Sequence, residues 1–357
     1  WADNDTTDIG LHANFKLDAD GEEIGLFDTD SITLIDSAAF GDQTTDISYG
    51  RYPDASDNLR FLGEPTPAAE NNGAYLGEVA DTKFSHKRGF YDTPFFVTIA
   101  TETKDAVIYY TLDGTAPYEL IGQGRSGTVY RGIVYTAPIF ISKTTPLRAV
   151  AIKPGWKPTN MDAQTYIFLE DVIRQSARPA GFPSNWGHTG NGDYEMDPQV
   201  VNNSLYSNTI KDDLKSVPTL SLIMDKDDWF GSKGIYINKS QDGTERAASI
   251  EFIDPSSGGQ FQTNCAIAMQ GGVSGGGTSL NRWKTDKLSM RPRFKAYTDD
   301  GTPTGGPTKL NYQLFRDSPT EHFDTIVLDA VLNHSWLHPG SDQRNTVKYI
   351  QDQYVAD

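Results

Sequence analysis

The chain has 357 residues, 37% of them hydrophobic and 11% aromatic, enough for two or three cores; 33 Gly and 19 Pro favour turns and short strands over long helices. Its net charge of −17 is concentrated, since residues 1–82 carry 18 Asp and Glu against only Lys16, Arg51 and Arg60. That surface repels nucleic acid and anionic lipid, a single cysteine cannot close an internal disulfide, and no apolar run is long enough to span a membrane as a helix.

From Trp1 to about Asn71, short strand-like runs such as EEIGLFD and SITLIDSAAF alternate with turn residues, the spacing of a β-sandwich. DADGEE at 18–23 clusters carboxylates, but the twelfth position from Asp18 is Thr29 where a calcium loop needs Glu. A tight turn at Asp20-Gly21 is the better reading. GEPTPAAENNGA, residues 63–74, has no periodicity and reads as a linker.

Residues 84–168 form the clearest β unit: FFVTIATET, AVIYYTLDG, VYTAPIFIS, TPLRAVAIKPG and AQTYIFLE, each bounded by Gly, Pro or Asp. Residues 169–216 are irregular and end in a short helix through LYSNTIKDDLKS. Phe182, Trp186 and Tyr194 make this stretch too apolar for a free tether. From Pro218 the strands VPTLSLIMD, GIYINKS, ERAASIEFID, FQTNCAIAMQGG, KLSMRPRFK and DTIVLDAVL are expected, with Cys265 as a small buried hydrophobe. Val347, Ile350, Tyr354 and Val355 share one face of a closing helix that runs out without a cap, as in a truncated chain.

These residues carry resemblances over nearly the whole chain. WADNDTTDIGLHANFKLDADGEEIGLFD with DISYGRYPD and FLGEPTPAAEN resembles the second half of a bacterial lamin-tail domain. FSHKRGFYDTPFFVTIATET, AVIYYTLDGTAPY and LRAVAIKPGWKPTN are similar to the chitobiase/β-hexosaminidase C-terminal-type domain, a small sandwich appended to secreted hydrolases. PTLSLIMDKDDWFGSKGIYIN, SIEFID, KLSMRPRFK and NHSWLHPGSDQRNTVKYIQDQYVAD resemble the N-terminal part of the CotH family, which implies an atypical secreted kinase. The expected fold is therefore mainly β: tandem immunoglobulin-like β-sandwiches followed by a partial α+β, kinase-like CotH domain. The expected domains are 1–70 (lamin-tail-like), 71–83 (linker), 84–168 (chitobiase-type), 169–216 (connector) and 217–357 (CotH-like).

In QGGVSGGGTSLNRWKTDKLSMRPRFK, residues 270–295, a glycine-rich turn precedes a strand bearing Lys287, Ser289 and Arg291 on one face. Backbone N–H groups and one cation on such a turn offset phosphate charge. Gly271, Gly272, Lys287, Ser289 and Arg291 are the nucleotide-binding candidates, and the family resemblance places Lys287 on the nucleotide. GGVSGGGTS fits no standard phosphate loop, however, and Pro292 removes a ladder donor, which favours an edge strand or a bulge.

The resemblance puts the metal-holding acids beyond Asp357, so catalysis, and with it ATP and a divalent cation, belongs to the parent protein. His334 and His338 in NHSWLHPG are followed by Pro339-Gly340 and lack a third ligand, so no metal site is expected. No G-x-S-x-G elbow exists to support hydrolase chemistry. Exposed aromatics in the second sandwich offer sugar platforms; alternation sends Tyr109 and Tyr110 to opposite faces, leaving one in the core, and Tyr110 and Trp156 are the carbohydrate candidates. The expectation is a non-catalytic, structural or adhesive piece of an extracellular or cell-surface bacterial protein. Its partners would be extracellular proteins or polysaccharide, with a kinase parent or a carbohydrate-binding module as alternatives.

Overall fold

The computed structural model describes residues 13–18, 21–41, 43, 48–62, 66, 69–71, 73–121, 127–186, 192–238, 245–270, 273–274, 277–278, 288–314 and 320–329. The fold is mainly β and rich in sandwich-like sheets, as the strand spacing predicts. The chain divides into two compact units, Trp1–Val79 with Lys153–Pro158, and Ala80–Ile152 with Thr159–Asp357.

The first unit is built from hairpins. β1 (Glu22–Phe27) pairs antiparallel with β2 (Leu34–Phe40), and β3 (Ser48–Arg51) with β4 (Leu59–Leu62). Between β1 and β2 the turn is organised by Asp30, whose carboxylate accepts from Ile32 N, Thr33 N and Thr33 Oγ1. Those bonds, led by the Thr33 hydroxyl, hold its pKa below the usual carboxylate range. The turn expected at Asp20-Gly21 lies partly outside the described residues, but Gly21 has φ +115°, a backbone that glycine adopts freely. The stretch read as a linker is tied down where it is described: Asn71 donates to Arg51 O at 2.9 Å and accepts from Thr66 Oγ1. Arg51, one of three cations before residue 83, meets Asp36 at 2.6 Å.

The second unit opens with β5 (Lys83–Phe84), β6 (Gly89–Phe90), β7 (Phe95–Val97), β8 (Ile99–Ala100), β9 (Val107–Thr111), β10 (Tyr118–Ile121), β11 (Gly127–Tyr130), β12 (Ile133–Val134), β13 (Ile139–Ile141), β14 (Thr145–Ile152) and β15 (Asp162–Ile167). Five strands form a sheet in the order β12-β9-β14-β15-β6, while β13 pairs with β7 and β5 with β8. β14, TPLRAVAI, is buried along nearly its whole length because it is central and covered on both faces; its near-continuous small and branched residues are the signature of that position. Tyr166 is fully buried and the half-buried Phe95 and Tyr91 pack against it, Phe95 set edge-on to Tyr166 at 5.2 Å.

Three short helices follow, α1 (Leu169–Ile173), α2 (Pro198–Val201) and α3 (Ile210–Lys215). Next come β16 (Thr219–Ile223), α4 (Lys226–Phe230), β17 (Arg246–Ile253), β18 (Gln260–Met269), a small hairpin of β19 (Val273–Ser274) and β20 (Gly277–Thr278), β21 (Met290–Arg293), β22 (Leu310–Asn311) and β23 (His322–Phe323). The main sheet here runs β16-β17-β18-β21, all antiparallel. Ala248, Ile250, Cys265, Ile267 and Met269 supply its core face, and Trp186 from the connector packs into the same core. Cys265 is fully buried, as expected, and burial pushes its thiol up to about 12.

One expected strand did not form as such where it is described. GIYINKS was read as a strand, but residues 232–237 are turns: Gly234 N bonds Gly231 O at 2.7 Å and Ile235 N bonds Asp228 O at 2.9 Å. Gly234 permits this, since a Cβ there would lie 2.7 Å from the Trp229 carbonyl; the chain folds back on α4 and buries Ile235 completely. DTIVLDAVL, described as far as Asp329, runs antiparallel to β21: Met290 and Leu328 exchange backbone bonds and Ile326 N donates to Pro292 O, with bridges from Arg293 to Thr325 and from Met290 to Leu328. Pro292 does not lie at a free edge as expected: β21 bonds β18 on one side and residues 324–328 on the other, where Met290 and Phe294 donate to Leu328 and Asp324 and the missing proline donor leaves one gap in the row, beside a carbonyl that still accepts from Ile326 N. The closing helix, His334 and His338 lie outside the described residues.

Candidate functional site

β21 carries the described part of the nucleotide constellation. Ser289, just before it, is buried; its carbonyl accepts from Gln270 N at 2.8 Å and its hydroxyl donates to Asp329 at 3.1 Å. Arg291 follows two residues on, and its Nε is buried without a hydrogen-bond partner among the described residues. Gly271, Gly272 and Lys287 lie outside the described residues.

A cleft of about 440 Å³ opens beside α4 and the start of β17, lined among others by Asp227, Asp228, Lys233, Glu245, Arg246 and Asp300. Its lining carries four carboxylates against two cations, and among them Glu245 and Arg246 are paired. Glu245, almost fully buried, accepts from Arg293, from Lys295 Nζ at 2.9 Å and from Asp299 N at 2.9 Å. Burial alone would lower the Lys295 pKa, but its bonds to Asp299 and Glu245 outweigh that and raise it. Arg246 reaches Asp228 at 3.4 Å and Asp300 at 3.8 Å. Among the described residues no group of three or more His, Cys, Asp or Glu side chains converges as metal ligands would.

The carbohydrate candidates fall in different units. Tyr110, on β9, is half-buried and meets Tyr135 edge-on at 6.4 Å. Tyr109 is half-buried too, stacked at 4.8 Å on Tyr130, so the expectation that one of the two would be core is corrected: alternation sends them to opposite faces, and each ring meets another tyrosine there and remains half-buried. Trp156 is already engaged, with Lys153 Nζ 4.4 Å from its ring centroid and Gly77 so close that a Cβ would sit 2.7 Å from the indole.

A feature that sequence reading missed is a polar seam between the five-stranded sheet and the β16-β17-β18 sheet. Along β17 the odd positions Ser249 and Glu251 face away from the apolar core, the pattern of a solvated face, yet both are fully buried. Register sets Ser221, Glu251 and Gln262 in one cross-strand row and Ser249 beside Asn264 in the next. Opposite them stand Arg148 of β14 and Thr165 of β15. Glu251 accepts from Arg88 Nε at 2.7 Å, from Thr165 N at 3.1 Å and from the Thr165 hydroxyl.

Arg148 donates to Gly114 O at 2.9 Å and to Ser249 Oγ at 3.3 Å, with Asp225 at 3.9 Å. Burial lowers its pKa to about 10 even though Asp225 and other carboxylates pull the other way. Asp225 also accepts from Ala116 N at 2.6 Å and Arg131 at 2.8 Å, and Asn264 and Gln262 both donate to Met161 O. The one signal available beforehand was an unusual one, an arginine inside the apolar run LRAVAI, which asks for a buried partner.

No curated protein and no solved structure matches this chain. Residues 86–162, which include Arg88, Tyr110 and Arg148, match the family of the chitobiase/beta-hexosaminidase C-terminal domain.

Proposed function

We propose that the chain is a non-catalytic part of a secreted or cell-surface bacterial protein, a rigid carrier for a carbohydrate-associated module, with lamin-tail-like residues 1–70 before it and CotH-like residues 217–357 after it. The observation that supports this best is the seam. Buried charges are costly unless paired, and here Arg88 meets Glu251 and Arg148 lies near Asp225 across the two sheets; of these groups only Arg148 Nε is buried without a hydrogen-bond partner among the described residues. Such a joint suits a spacer or adhesive element that must present its module in a constant orientation. The family match of residues 86–162 supports carbohydrate, more than protein, as the material met. Pull-down of the full chain on insoluble polysaccharides tests the reading: retention on at least one is expected, and uniform failure to bind removes the carbohydrate assignment.

A second reading, a CotH-type kinase using ATP and a divalent cation in a longer parent, is favoured by Arg291. A guanidinium nitrogen buried without a partner among the described residues, on the strand that follows the glycine-rich stretch in sequence, is a group that an anionic phosphate would satisfy. A chain extended past Asp357 and supplied with ATP and magnesium should then label itself or an extracellular protein. Absence of transfer, or transfer undiminished by Lys287→Ala, sinks it.

A further inference from the structure

On β7 and β13 the buried residues alternate with outward ones: Val97, Ile139 and Ile141 point in, whereas Phe96 and Phe140 are 59% and 55% exposed. Register places Phe96 directly opposite Phe140, and their rings lie side by side, centroids 5.0 Å apart and tilted 46°. An exposed phenylalanine is unremarkable alone, but two adjoining rings on one face form a patch that calls for a partner. The flanking positions two residues away, Pro94, Thr98, Pro138 and Ser142, are also exposed. The strip is therefore two phenyl rings, two prolines and two hydroxyls, with no charged side chain, in a protein of net charge −17.

We infer that this strip binds a neutral polysaccharide strand, an inference that rests on the carbohydrate-associated reading of residues 86–162. The uncharged face selects against polyanions and against partners steered by charge. The phenyl rings offer apolar faces to the C–H surface of a sugar ring, and the Thr98 and Ser142 hydroxyls, at opposite corners of the strip by extension of the register, can each donate to and accept from sugar hydroxyls. Tyr110 and Trp156 are not part of this strip.

Titration calorimetry of the full chain with cellohexaose, chitohexaose and xylohexaose, and with polygalacturonate as the charged control, tests the inference. Binding of at least one neutral hexasaccharide is expected, weakened about tenfold or more by Phe96→Ala and by Phe140→Ala and retained by Phe140→Tyr. Because both rings are exposed, the melting temperature should stay close to that of the parent chain, which separates lost binding from lost fold. Neutral-sugar binding that survives the double alanine variant overturns this site while leaving the carbohydrate reading in place. Binding of polygalacturonate alone overturns the neutral-ligand assignment, and binding of no sugar, soluble or insoluble, overturns both.

Discussion

The β1–β2 hairpin and the β17 strand have opposite relations to solvent. In the hairpin Ile24, Leu26, Phe27, Leu34 and Ile35 are all substantially exposed, whereas in β17 Ser249 and Glu251 are wholly buried. β17 alternates in the ordinary way of a strand, whereas the hairpin sets Leu26 beside Phe27 and Leu34 beside Ile35, putting apolar residues on both of its faces. Alternation assigns residues to faces, but whether a face is covered depends on what the rest of the chain brings to it. Glu251 owes its burial to Arg88, 163 positions away in sequence.

The comparison can be broken most severely at the seam. Glu251→Ala should strand the Arg88 guanidinium, only 12% exposed, and cost about 3–5 kcal/mol in chemical denaturation; a cost below about 1 kcal/mol would mean that the seam is wet. Gly234→Ala should cost about 1–3 kcal/mol, because its Cβ would press on the backbone of α4. If it proves neutral, the turn at 232–237 is not held as described.

A pH effect of intermediate size is expected at Asp162, whose pKa burial raises to about 6, against the Thr82 hydroxyl bond that lowers it. A carboxyl raised on folding stabilises while protonated, so this contribution is full below the unfolded pKa near 4 and is lost as pH rises through about 6. Allowing for partial solvation, the loss is about 1–2 kcal/mol, read as a falling melting temperature that Asp162→Asn should flatten. The smallest effect sharpens the other half of the comparison: Leu26→Thr, at a position 60% exposed, should change stability by no more than about 0.5 kcal/mol. A larger loss would show that something covers the hairpin.

Much of the candidate chemistry was visible in the residues but not its arrangement. KLSMRPRFK announced a strand bearing Ser289 and Arg291, and the structure adds Asp329, forty positions away, as the partner of the serine. Tyr109-Tyr110 and Phe95-Phe96 are the same kind of doublet, two adjacent aromatics on a strand. Only packing decides that Phe95 turns half-buried onto the buried Tyr166 while Phe96 meets Phe140 outside, and that Tyr109 and Tyr110 are both half-buried. GIYINKS has the composition of a strand, but local turn bonds permitted by Gly231 and Gly234 prevailed.

By itself the sequence determined the mainly β character, the two faces of each long strand, the reading of Cys265 as a small buried hydrophobe and the acidity of residues 1–82, because periodicity, side-chain chemistry and charge are local properties. The tertiary structure alone decided that the polar face of β17 lies inside and that the phenyl pair lies outside. Covering a face requires groups distant in the chain to meet, and no local pattern records which of them will.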